Sequence, residues 1–208
     1  NKIMANVSSV KSKTFGDVAA ADTASLAALQ TLGGAGDMTL KAAAGTGAYN
    51  GTNLAQLIDI TCGGDVASVT FSVTGTDVNG DTQTEDITGV NANTVAGALY
   101  FATVTQVAAD GAVGTNTSVG NQAGTGVGVV FAGRTRIRGM QGVVGTTAGN
   151  ITFKNTSTTG TTLMDIPTGV TAGTLEPYIP DNGVLFNAGA YINAAANVQE
   201  GVTVFYDG

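Results

Sequence analysis

The sequence predicts an all-β protein: two β-sandwich, jelly-roll-like domains preceded by an extended N-terminal arm. Three observations carry this. From Met38 onward, short runs of Val, Ile, Thr and Phe alternate with breaks of Gly, Asn, Asp and Ser, the punctuation of strands and turns. Thr, which packs well on a pleated surface, occurs 32 times and Gly 31 times, against three Pro. The strand-like runs are short and evenly spaced, as in a sandwich, and no internal repeat of the roughly 20–50 residues typical of solenoids and propellers is found.

Residues 1–21 show little periodicity and read as an arm, with room for a short strand. Residues 22–32 are the one helix-like segment. Asp22 is placed to cap it, Leu26, Leu29 and Leu32 share a face, and Gly33-Gly34 would stop it. A strand is expected at 39–43 and another at 56–62. The clearest element is 68–76, where Val69, Phe71 and Val73 point one way and Ser68, Thr70, Ser72 and Thr74 the other. Asn79-Gly80 then supplies the positive φ angles of a tight turn, and 82–88 returns as a polar strand. Further strands are expected at 98–107, 117–119, 127–130, 134–140, 150–154, 162–166, 174–179, 184–186, 189–194 and 202–206. The Gly-rich stretch 122–126 reads as a linker. The domains are therefore placed at 22–125 and 126–208, after the arm at 1–21; one larger sandwich is the alternative.

Composition removes whole classes of chemistry. The chain has 208 residues, no His and one Cys. A Ser-His-Asp or Cys-His nucleophilic site is impossible, as is a metal centre with His ligands or an intrachain disulfide. The net charge is −7, which argues against a nucleic-acid footprint, because neutralising phosphates needs clustered Lys and Arg. No apolar run reaches the length of a membrane helix, so no membrane is expected as a partner. Only 11% of residues are charged, against roughly 25% in an ordinary soluble domain. Such a surface suits a protein much of whose area meets partners.

The remaining candidates are weighed singly. Asp77, Asn79 and Asp81 alternate like the start of a calcium loop, but Gly80 stands fourth where such a loop needs Gly sixth, and the twelfth position is Thr88, not Glu. A hairpin turn explains the same composition. Glu85-Asp86 is the only acidic doublet. Neighbours in a strand face opposite ways, so these read as solvated charges and not a catalytic pair. Cys62 closes a strand with nothing nearby to activate it and reads as core. Arg134, Arg136 and Arg138 share one strand face, with Thr135 and Ile137 on the other. That pattern fits either a contact to carboxylates of a partner or salt bridges along the ladder. Together with Lys2, Lys11, Lys13 and Phe15 of the arm, these arginines are the candidates for a subunit or capsid interface. No catalytic, cofactor or metal residues are assigned.

The hairpin from Phe71 through Gly75 and Asp77 to Asp81, continuing with Glu85-Asp86-Ile87-Thr88-Gly89, resembles one found in tailed-bacteriophage virion proteins. The strand from Phe101 to Val107 and the turn around Asp110-Gly111 are similar to the next strand and turn of those proteins. The second half, with Arg136-Ile137-Arg138-Gly139-Met140, Ile151-Thr152-Phe153-Lys154 and the closing Val202-Thr203-Val204-Phe205-Tyr206, resembles the β-sandwich of capsid decoration or cement proteins. The resemblance implies a non-enzymatic protein of the capsid exterior, made in the host cytoplasm. Its partners would be the major capsid protein and itself, as a homotrimer or, second, a dimer. The alternative it leaves is a tail or head-fibre module that binds a host receptor or glycan.

Overall fold

The computed structural model describes residues 10–41, 54–122, 124–180, 182–195 and 198–208. Among them every regular element is a β-strand, arranged in four antiparallel sheets.

The first sandwich contains β2 (Asp22–Leu32), β3 (Gly36–Asp37), β4 (Gln56–Cys62), β5 (Thr70–Thr76), β6 (Thr82–Thr88), β7 (Thr94–Phe101), β8 (Thr103–Ala109) and β9 (Val113–Asn121). One sheet runs β2-β9-β4-β7 and the other β3-β8-β5-β6. Alternation decides which side chains meet between them. Ile58, Ile60 and Cys62 of β4 and Val119 of β9 face Phe71 and Val73 of β5, Ile87 of β6 and Val107 of β8 in one core. Each fully buried aliphatic or Phe side chain contributes about 1.5–3 kcal/mol by leaving water.

The second sandwich contains β10 (Thr125–Phe131), β11 (Thr135–Val144), β12 (Asn150–Asn155), β13 (Thr162–Pro167), β14 (Gly173–Leu175), β15 (Val184–Phe186), β16 (Ala190–Ala195) and β17 (Val198–Asp207). It also takes in β1 (Val10–Phe15), which pairs antiparallel with β17. Its sheets are β1-β17-β11-β14, with β15 also on β11, and β10-β16-β12-β13. Its core holds Phe15, Ile137, Ile151, Phe153, Phe186, Ile192 and Val204. From β1 the described chain thus passes from the second unit into the first and back, touching the second core again at Leu54. Residues 10–15 of the expected arm form a strand of this chain's own sheet; residues 1–9 lie outside the described residues.

Several elements differ from expectation. Residues 22–32 are a strand, not a helix. An isolated helix of eleven residues is marginal in water, and pairing to β9 with three register shifts wins. Those irregularities bury the neighbours Leu26 and Ala27 together, which regular strand alternation would not do. Of the strand expected at 39–43, residues 39–41 are irregular and 42–43 lie outside the described residues. The Gln30 carboxamide takes the place of a paired strand there. It accepts from Thr39 N (2.8 Å) and donates to Thr39 O (3.1 Å). The single strand expected at 98–107 is two, β7 and β8. The chain bends at Ala102, whose N–H donates to Thr76 O (2.8 Å), and passes from one sheet to the other. The strand expected at 174–179 stops at Leu175. In the β5–β6 turn only Gly80 takes positive φ (+88°); Asn79 does not. Asp77 N donates to Asp81 O (2.9 Å) and Gly80 N to Asp77 O (3.2 Å), a turn ending in one left-handed glycine.

Candidate functional site

The alternation that buries Ile192 and Ala194 in the second core turns Tyr191 and Asn193 to the other face, where Tyr191 reaches the first sandwich and Asn193 Nδ2 donates to Thr158 O (3.3 Å). Val127 pairs with Asn193 across β10–β16 and is fully buried, although it belongs to neither core. It lies in the joint between the units. There Ala55, just before β4, exchanges two backbone hydrogen bonds with Val127 (2.7 and 2.9 Å). Leu54 is seated in the second core. Gln56 Nε2 donates to Ala19 O (3.1 Å) and Gln122 O (3.3 Å), tying the stretch before β2 to the one after β9. The Ala55–Val127 bonds also occupy one position on the otherwise open edge of β10.

Beside the joint is a cleft of about 180 Å³. The β5–β6 turn, residues 98–100 of β7, the 157–159 turn and Tyr191 line it. Tyr191 is 6% exposed, and its hydroxyl donates to Asn79 Oδ1 (3.2 Å), across the two units. Burial, then the negative charges of Asp77 and Asp81, hold its phenol above the usual tyrosine range, so it remains a donor. Asp77 shapes the turn. Its Oδ1 accepts from Asn79 N (2.8 Å) and Asp81 N (3.0 Å), and its Oδ2 from Asn79 Nδ2 (3.1 Å). The carboxylate that a calcium loop would use is engaged by its own backbone. Among the described residues no group of three acidic, Cys or His side chains is placed to hold a metal.

Glu85 holds two residues that line the cleft, Ala98 and Leu99. Its carboxylate accepts from the backbone N–H groups of Ala98 and Leu99, the latter at 3.1 Å. β6 and β7 lie at the ends of different sheets, so this side chain stitches one open side of the sandwich. The sequence alone suggests a solvated charge at Glu85. The signal against that is Gly97 inside a strand, a mark of close approach. A Cβ there would lie 2.5 Å from Glu85 Oε2. Asp86, facing the other way, accepts from Ser72 Oγ (2.5 Å). A second cleft, about 140 Å³, adjoins Leu57, Gln122 and Thr125 and shares Tyr100 with the first.

The interface candidates do not form one patch. Lys2 lies outside the described residues. Phe15 is fully buried in the second core, so it offers nothing to a partner surface. Lys11 and Lys13 share its side of β1. Lys11 Nζ donates to Gly208 O (2.7 Å) and lies 5.7 Å from the Phe131 ring centre. Lys13 Nζ is 5.6 Å from the Phe15 ring centre, and burial pulls its pKa below the usual lysine range. Arg136 and Arg138 occupy the opposite, outer face, as Ile137 points into the core; Arg134 is exposed just before β11. Arg138 Nη1 lies 3.5 Å from Asp207 Oδ2 and donates to Asn182 O (2.9 Å), while Arg136 stands opposite Asp207 in register. Two neighbours on this face were not singled out from sequence: exposed Phe205 on β17 and Val10 on β1. Cys62 is buried in the first core, as its position at the end of a strand suggested.

No protein-family model matches the chain, and no curated protein or solved structure shows significant similarity to it.

Proposed function

We propose that this chain is a structural protein of a tailed-phage virion, a decoration or cement protein that binds the outside of the capsid and stabilises it by bridging capsomers. The observation that carries the reading is the outer face of the β1-β17-β11 sheet. Phe205 and Val10 stand there beside Arg136 and Arg138, on a chain otherwise poor in charge. Aromatic residues and Arg are the types that protein interfaces enrich, and Arg pairs with carboxylates bidentately. The joint supports the same reading. A clamp resists the separation of capsomers only if its halves hold their angle, and backbone pairing of Ala55 with Val127 supplies that stiffness. The partners are the major capsid protein and further copies of this chain, most simply as a trimer around a symmetry axis.

The test is co-sedimentation with heads, stripped of accessory proteins, from a phage whose genome carries this chain. Saturable binding that Phe205→Glu or a paired Arg136→Glu, Arg138→Glu substitution abolishes is the expected result. Binding unaffected by these substitutions removes this face from the account. Absence of binding by the wild-type chain refutes the decoration role.

A further inference from the structure

We infer that the cleft between the sandwiches is a binding site for a neutral saccharide, with Tyr100 as its aromatic platform. The inference is independent of the capsid role and uses a different surface. Tyr100 is half-buried and contributes to the lining of both clefts. Each is smaller than the roughly 300–1,000 Å³ of drug-sized sites, which limits the occupant of the main cleft to one or two sugar rings. Each sandwich contributes a wall. The 77–83 turn and β7 come from the first, and the 157–159 turn and Tyr191 from the second. The joint therefore preorganises the cleft, and a ligand need not pay to assemble it.

The lining chemistry selects the class. Asn79, Gln83, Ser157, Thr158 and Thr159 line the main cleft. Asn79 and Gln83 are held by Tyr191 and the Tyr100 carbonyl, and Ser157 and Thr159 by each other, while their remaining lone pairs can still accept from a ligand. Hydroxyl and carboxamide groups both donate and accept, which suits a ligand carrying several hydroxyls. Among the described residues no Lys or Arg lines either lobe, and Asp77 and Asp81 bring negative charge strong enough to bear on Tyr191. Sialylated or sulfated sugars are thereby disfavoured. A neutral pyranose has an apolar face for the Tyr100 ring and equatorial hydroxyls for the walls.

The experiment titrates a panel of glucose-, galactose- and N-acetylhexosamine-containing di- to tetrasaccharides into the full chain and follows amide chemical shifts. The expected result is saturable binding of at least one neutral member at millimolar concentration, with shifts centred on residues 77–83, 98–100 and 157–159. Tyr100→Ala should weaken it at least about tenfold, the effect of losing one aromatic platform. Thr158→Val, which removes a hydroxyl and nearly keeps the shape, should weaken it without altering the fold. Phe205→Glu should leave it unchanged, and Tyr100→Ala should still bind stripped heads, which separates this site from the capsid face. No saturable binding by any neutral member overturns the inference. So does binding restricted to anionic sugars, or binding indifferent to both Tyr100→Ala and Thr158→Val.

Discussion

Replacing Glu85 with Ala tests whether one carboxylate holds the open side of the first sandwich. Two backbone N–H groups, those of Ala98 and Leu99, lose an ionised acceptor. Hydrogen bonds to charged groups are worth about 1.5–3 kcal/mol each, so two set a ceiling of roughly 3–6 kcal/mol. Residues 98 and 99 are exposed, so water can rehydrate their N–H groups and the cost falls toward about 2–4 kcal/mol. Glu85→Gln keeps an acceptor without the charge and should cost about half as much. Gly97→Ala should resemble the Ala variant, because the new methyl group would displace the carboxylate. The assay is urea denaturation followed by far-ultraviolet circular dichroism, together with amide hydrogen exchange. Exchange at Ala98 and Leu99 should accelerate in Glu85→Ala while the amides of β5 keep their protection. A stability change under about 0.5 kcal/mol, a size ordinary for a neutral surface substitution, with unchanged exchange at both amides, would refute the reasoning.

The same geometry makes three further predictions. Asp59 is 8% exposed, one of its carboxylate oxygens has no hydrogen-bond partner, and burial holds its carboxyl above the usual aspartate range. The folded state therefore binds this proton more tightly than the unfolded chain. The stability so gained is complete below the ordinary pKa of about 3.9 and is lost as pH rises through the folded value. Asp59→Asn should thus stabilise the protein at pH 7 by about 1–3 kcal/mol, with the gain shrinking toward pH 4; equal stability of the two at pH 7 by urea denaturation would contradict this. Tyr191→Phe removes the hydroxyl bond to Asn79 and should cost about 0.5–1.5 kcal/mol, leave both cores intact, and loosen the angle between the units in small-angle scattering. Phe15→Ala should cost about 3–5 kcal/mol in thermal or urea unfolding, as for a fully buried Phe, rather than acting at a partner surface.

The strand content and most strand positions were legible because alternation is a local signal. β4, β6 and β15 occupy the expected residues, and Val69, Phe71 and Val73 are buried as their spacing required. What was not legible depends on partners distant in sequence. Residues 22–32 have helical spacing of Leu, yet β9, about 90 residues away, decides their state. The bend at Ala102 carries no Gly or Pro; it arises because the chain changes sheets. The role of Glu85 depends on which strand ends adjoin, and that of Tyr191 on which face of its sheet meets the other sandwich. The outer position of Arg136 and Arg138 was readable from Ile137 between them. The exposure of Phe205 beside them was not, because the alternation of β17 alone does not show that its outer side stays uncovered.

The claim that this chain is a capsid-binding clamp is tested most directly by measuring native mass, first alone and then on stripped heads from a phage whose genome carries it. The account predicts a trimer that saturates the shell at a copy number fixed by the shell's symmetry, and loses the shell, not the fold, on Phe205→Glu. A monomer that ignores heads at every concentration would contradict it.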